Sequence, residues 1–281
     1  MKKFVKVCLL LAAVCAILGV AACAAGAVMG AGTGALHEAW QKNGFRNWSW
    51  NIGSDTIDWE KEGNTVKTLD SFAVNEVDSL EIDLKYGTLD IKENDKNEIT
   101  VKAEKNQEKF QVVLKDGVLN LEDVRNKSVK DHNYHILLLL PKGAEFQSIK
   151  INNDAGIIET DDITLTAQDI NIKVSAGEIV AEHLEAAKLE LRVGAGNADI
   201  DEVKAEDAEI TCGVGNIDVE LIGDEKDYNY EIACGIGNIS INEQSYSSLG
   251  KDKMVDNHAD KEIHLDCGVG NITLITEEEE D

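Results

Sequence analysis

The sequence predicts an all-β protein: a solenoid-like, β-helix-like stack of glycine-cornered strand repeats of about 19–22 residues, with a more sandwich-like N-terminal cap and one N-terminal transmembrane helix. Three observations carry this reading. First, a phrase recurs in one apolar frame, as CGVGNIDV at 212–219, CGIGNISI at 234–241 and CGVGNITL at 267–274. Degenerate copies stand at 193–200 (VGAGNADI) and 175–181 (SAGEIVA). Second, apolar and polar residues alternate on both sides of each glycine, the signature of strands with one buried face. Third, Gly156, Gly177, Gly196, Gly215 and Gly237 are spaced 21, 19, 19 and 22 residues apart. Units of that length bury a continuous apolar column only when stacked.

From the N-terminus, residues 1–36 form the anchor or signal segment. Lys2, Lys3 and Lys6 precede an uncharged stretch at 7–36. Its first part is long enough to cross a hydrocarbon core of about 30 Å. The charge bias predicts a single-pass cell-membrane protein with a cytoplasmic N-terminus and an extracytoplasmic remainder. A cleaved signal peptide has a shorter apolar region. Val20-Ala-Ala-Cys23 also fits a lipobox, with lipidation at Cys23, although the residues that follow remain apolar. Residues 37–68 read as a juxtamembrane linker holding all four tryptophans, between Trp40 and Trp59, placed at the membrane interface or as a cap on the stack.

Residues 69–276 form the repeat domain. In register, the predicted corners are Gly87, Gly117, Gly156, Gly177, Gly196, Gly215, Gly237 and Gly270. Glycine suits a corner because it tolerates positive φ and close backbone approach. Five residues earlier stand Ile82, Val112, Ile151, Ile172, Leu191, Ile210, Ile232 and Leu265. Two residues later stand Leu89, Leu119, Ile158, Ile179, Ala198, Ile217, Ile239 and Ile272. A third apolar position follows seven residues after the middle glycines, at Ile163, Leu184, Val203 and Ile222. The wider early spacings, with the strands at 98–104 and 135–140, predict the sandwich-like cap. The insertion at 242–261 is polar and reads as a surface loop, and 277–281 as a solvated acidic tail.

Cys212, Cys234 and Cys267 share one slot, three residues before the glycine, and read as a ladder of small buried thiols. Their odd number and the lack of CxxC argue against a disulfide framework or closed zinc site. The formal charge of -26, from 53 acidic and 27 basic residues, repels nucleic acid and attracts cations, including weak divalent binding. No cofactor is implied. GVGN lacks the helix that a nucleotide loop requires, and its copies lie too far apart for a calcium β-roll. The six histidines form no HExxH, no G-x-S-x-G is present, and Ser175 occupies a corner position rather than a nucleophile elbow. Carboxylates such as Asp154, Asp161, Asp162, Asp199, Asp201 and Asp218 leave a polysaccharide-active solenoid enzyme as the remaining catalytic alternative.

With the Lys-rich start, VNEVDSLEIDLKYGTLDI at 74–91, ILLLLPKGAEFQSIKI at 136–151 and the glycine-corner repeats, the chain resembles the bacterial "putative adhesin" β-strand repeat family over roughly 69–275. The resemblance implies an extracytoplasmic β-repeat domain on a membrane anchor and carries over no catalytic residues. The expected function is a non-enzymatic adhesin or envelope interaction module that binds an envelope or surface macromolecule. An accessory role in envelope-stress signalling is the alternative.

Overall fold

A computed structural model describes residues 66–104, 109–125, 134–247 and 252–277, all within the compact unit Ile57–Asp281. The anchor segment, Cys23, the tryptophan cluster and the tail beyond Glu277 lie outside the described residues. Among the described residues, no helix is long and apolar enough to cross a membrane.

The described chain forms one 14-stranded sheet. Its strands are β1 (Val66–Ala73), β2 (Ser79–Leu84), β3 (Gly87–Asn94), β4 (Glu98–Glu104), β5 (Phe110–Lys115), β6 (Val118–Asp123), β7 (His135–Pro141), β8 (Glu145–Asn153) and β9 (Gly156–Asp161). They are followed by β10 (Thr164–Ile222), β11 (Tyr228–Ile241), β12 (Gln244–Tyr246), β13 (Lys253–Val255) and β14 (Lys261–Glu277). The 59 residues of β10 wind through successive coils without leaving the sheet.

Two arms run from the N-terminal cap into β10. The arm before the corner has the order β5-β6-β2-β8-β10, and the arm after it β1-β4-β7-β3-β9-β10. Pairing is parallel along the coils, as in β2 with β8 and β3 with β9. It turns antiparallel in the cap, where β1 pairs β4, β4 pairs β7 and β5 pairs β6.

The sequence alternation explains the column. In one coil, Ala208, Ile210, Cys212, Ile217, Val219 and Leu221 all point inward and are buried. Ile163, Leu184 and Val203 bury a third side, whereas Ile222 is half-buried. Each such Ile, Leu or Val contributes roughly 1.5–3 kcal/mol by leaving water. At the corners the coils approach so closely that only glycine fits. A Cβ on Gly215, whose φ is +140°, would stand 1.7 Å from the carbonyl oxygen of Gly196, and one on Gly237 would stand 1.7 Å from that of Gly270.

The structure departs from the sequence expectation in two places and sets an order of coils that the expectation does not address. Gly117 is not a coil corner. With Asp116 (φ 51°) it makes the tight turn of the β5–β6 hairpin, where the positive φ of both residues matches the strand twist. The insertion at 242–261 is more than a loop, because it carries β12 and β13, which pair antiparallel with the outer edge of β11. The repeats also do not stack in chain order. β14 lies between the last coil of β10 and β11, so the corners run Gly87, Gly156, Gly177, Gly196, Gly215, Gly270, Gly237.

Candidate functional site

The thiol slot comes first, because it holds the residues with the most reactive chemistry. Cys212 pairs in register with Cys267, and Cys267 with Cys234, across adjacent parallel strands. All three are buried and free. Burial, reinforced by the neighbouring Cys212 and Cys234, pushes the Cys267 thiol up to about 12, and burial raises Cys212 as well. Thiols held protonated in this way are poor nucleophiles and poor metal ligands at neutral pH. The same slot holds Leu84, Asn153, Val174 and Val193 in the earlier coils. Asn153 is buried there and donates from Nδ2 to the Gly87 carbonyl at 3.0 Å.

Side chains that face solvent after the corner occupy positions one, three and five residues beyond each glycine. Position one carries Asn197, Asn216, Asn271 and Asn238 on the last four coils. Asn271 Nδ2 donates to Asn216 Oδ1 at 2.8 Å and Asn216 to Asn197 at 3.4 Å, and the Asn238 oxygen bonds Ser245. Stacked amides of this kind satisfy one another along a parallel stack.

The remaining outward positions are strongly acidic. Over the coils of Gly87, Gly156, Gly177, Gly196 and Gly215, the three positions hold Asp90, Glu159, Asp161, Glu178, Glu182, Asp199, Asp201, Asp218 and Glu220, against a single cation, Lys92. Lys92 Nζ pairs with Asp161 at 2.6 Å. Burial, with the neighbouring charges second, raises several of these carboxyls. Burial and the nearby Glu159 raise Asp90 to about 6, despite Lys92. Burial and then Asp199 and Glu159 raise Glu178. Asp218 rises through burial and Asp199, against a hydrogen bond from Thr273. Glu220 rises through burial and the charges of Glu277, Asp201 and Asp199. The last two coils carry no charge at these positions, where Asn271, Thr273, Ile275, Asn238, Ser240 and Asn242 stand.

The residue before each corner glycine divides one coil earlier. It is Ala155, Ala176 and Ala195 in the middle coils and Val214, Val269 and Ile236 at the C-terminal end. These last three are 54%, 44% and 62% exposed and form an apolar edge.

A groove of about 550 Å³ opens beside the acidic face, between the β7–β8 turn and the start of β10. Lys142 and Glu93, paired at 3.3 Å, line it together with Asp162, Glu182 and His183. The carboxylates of Asp161, Asp162 and Glu182 come within 4.8 Å of one another. They have internal partners: Asp161 holds Lys92, and Glu182 accepts the Asp162 backbone N–H at 2.8 Å. His183 and His264 face Glu202 (3.3 Å) and Glu231 (2.9 Å). Asp154 and Ser175, weighed from the sequence as catalytic candidates, lie at the corner, two residues before Gly156 and Gly177, away from this groove's lining.

One cluster was not anticipated from the sequence. Arg125 is fully buried, with its guanidinium 4.0 Å from the Tyr86 ring, 3.9 Å from Tyr134 and 5.1 Å from Phe110. Its Nε donates to Asp123 Oδ1 at 2.7 Å, and its Nη2 pairs with the other carboxylate oxygen. Burial alone would raise Asp123, but the hydrogen bonds from Arg125 and the Lys85 backbone outweigh it and hold the carboxyl below its ordinary value. A signal was present: Leu119 and Leu121 begin an inward alternation whose next members are Asp123 and Arg125. The cluster closes the N-terminal end of the corner column, where a Cβ on Gly87 would meet the Tyr134 carbonyl oxygen at 2.5 Å.

The family model described as Toastrack DUF4097 matches residues 86–275 of this chain. Similar solved structures include a "putative cell adhesion protein" from Clostridium sporogenes, with 16% identity and a TM-score of 0.42, covering 75% of this chain and 98% of that one. Another is a "putative adhesin" from Bacteroides fragilis, with 16% identity and a TM-score of 0.35, covering 76% and 98%. A third, a "putative adhesin" from Parabacteroides distasonis, has 12% identity and a TM-score of 0.36, covering 75% and 97%. No curated protein matches the chain.

Proposed function

Since this chain belongs to the Toastrack DUF4097 family, we propose that it is a non-enzymatic, adhesin-like interaction module, tethered to the cell membrane by residues 1–36 with its repeat domain outside the cell. The observation that carries the reading is the acidic outer face, nine carboxylates and one lysine over five coils. A rigid parallel stack holds these groups in a fixed file, and a flat, regular face suits contact with another macromolecule. Burial and then neighbouring carboxylates raise Asp90 and Glu178, and a partner presenting cationic groups would favour their charged forms. The partner is therefore an envelope or surface macromolecule with a basic face, and nucleic acid is repelled. The tether rests on Lys2, Lys3 and Lys6 ahead of the uncharged stretch at 7–36.

The test is capture from envelope fractions by the detergent-solubilised full chain, in parallel with a variant carrying D90N, E159Q, E178Q, D199N and D218N. The wild type is expected to retain a partner that the variant loses, and to release it as salt rises from about 0.15 M to about 1 M. Identical retention by both proteins would remove the acidic face from the proposal. Cleavage of the repeat domain by protease added to intact cells checks its location, and full protection would overturn it.

A further inference from the structure

The C-terminal strand stands out of order. β10, β11 and β14 are synthesised in that sequence, yet β14 lies between the other two, in register with both. Cys267, Val269, Gly270, Asn271, Ile272 and Leu274 face Cys212, Val214, Gly215, Asn216, Ile217 and Val219 on one side. On the other side they face Cys234, Ile236, Gly237, Asn238, Ile239 and Ile241. Until β14 arrives, two near-identical strands offer the same set of slots, and nothing in those slots distinguishes the β14 of one copy from that of another.

The link is suited to exchange. β13 pairs with the outer edge of β11 and β14 with its inner edge, so the five residues 256–260 carry the chain around the start of β11. They are held there mainly by side-chain amides. Asn229 bonds the Ala259 carbonyl at 2.8 Å and accepts from the backbone N–H groups of Asn257 and Ala259, and Asn257 donates to the Tyr228 carbonyl at 2.7 Å. His258 within the link has a φ of 59°, a left-handed conformation that is costly for a non-glycine residue. Charge repulsion after the corner is weaker at this end. Two copies with a formal charge of -26 repel through their acidic coils, but the positions one, three and five residues after the corner are uncharged on β14 and β11, and Glu277 is the one charge beyond them on β14.

We propose that the partner at this end is a second copy of the chain, and that β14 of each copy enters the slot between β10 and β11 of the other during folding. Exchange replaces every intrachain β14 contact with an identical interchain one, so only the link and the chain concentration decide between the two forms. This assembly is independent of the acidic-face reading above.

The test places cysteines on two separate full-length chains, Asn216→Cys on one and Asn271→Cys on the other, with C8S, C15S and C23S in both. Asn216 and Asn271 are outward neighbours whose side chains bond at 2.8 Å, so a short bismaleimide joins two chains when β14 of one lies in the slot of the other, and chains mixed after folding report any surface contact. The buried native thiols are shielded from the reagent. After co-refolding, the interchain product is expected to rise in proportion to chain concentration, and several-fold further with Asn229→Ala, which loosens the link. A double variant with both cysteines on one chain reports the unexchanged form. Exclusively intrachain products at every concentration would overturn the proposal. So would interchain products formed equally on mixing chains already folded, since that indicates surface contact rather than exchange. The concentration series in the Asn229 background decides the matter even if Asn229→Ala does not fold.

Discussion

At the N-terminal end of the stack the column stops at a charged pair, Asp123 and Arg125, enclosed by Tyr86, Tyr134 and Phe110. At the C-terminal end it stops at neutral phenols. Tyr228 donates to the Ile222 carbonyl at 3.0 Å, Tyr230 to the Glu225 carbonyl at 3.1 Å and Tyr246 to Gln244 at 2.9 Å. Burial raises the pKa values of all three tyrosines, so they remain neutral. Both ends must cover apolar rungs and satisfy the backbone of a terminal coil. The phenols do this with separate bonds to separate carbonyls and side chains, Tyr228 being shared between the Ile222 and Ala205 carbonyls, so that no single residue holds this end. The guanidinium ties together the Tyr86 carbonyl, Asp123 and three rings at once, which makes the N-terminal end depend on a single residue. A buried ion pair is costly to break from one side, because the survivor is left charged and unpaired.

The largest effect tests what both ends cap. Gly237→Val forces a side chain into the Gly270 carbonyl and should cost about 4 kcal/mol or more in urea unfolding. Gly117→Val should cost less, since the nearest atom there belongs to the Asp78 side chain. Equal losses would remove the distinction between corner and hairpin glycine. Next, Arg125→Ala should cost about 3–5 kcal/mol, and adding Asp123→Leu should recover part of the loss. A double-mutant cycle reads the coupling, and strictly additive losses would show that the pair does not act as a unit. At the other end, Tyr228→Phe should cost only about 1 kcal/mol. A loss as large as that of Arg125→Ala would erase the contrast between the ends.

The smallest effect concerns the acidic face between them. Asp90 is raised to about 6 in the folded chain, above its value when unfolded, so the protonated form favours folding. That contribution is complete below the unfolded value near 4 and is lost as pH rises through about 6. The urea midpoint should therefore be higher at about pH 5 than at about pH 8, and Asp90→Asn should flatten the profile. A midpoint that rises with pH over this range would refute the assignment.

Much of this was legible in the sequence because it is local. Around Gly156, Gly177, Gly196, Gly215, Gly237 and Gly270 the alternating apolar residues are buried, with Ile222 the exception, and Cys212, Cys267 and Cys234 stand side by side in their shared slot. Gly117 was misplaced because its flanking alternation, Leu114 and Leu119, suits a hairpin as well as a coil. The carboxylates of the acidic face were each visible, but their convergence on one face depends on the stacking of coils 19 to 22 residues apart. The aromatic enclosure of Arg125 unites residues from β5, the β2–β3 corner and the segment before β7, which no short window contains.

The sequence by itself determined the repeat: strand, glycine corner, strand, with Ile, Leu, Val and Cys inward and polar groups outward. Period-2 alternation and the intolerance of a crowded corner for any Cβ require nothing beyond neighbouring residues. Only the tertiary structure decided which repeat lies against which. CGVGNIDV, CGIGNISI and CGVGNITL carry matching slots, so local pattern fits any order among them. The order is set by features outside the phrase: Tyr228 and Tyr230 close the column from β11, β12 and β13 cover its outer edge, and the link at 256–260 leads β14 back inside.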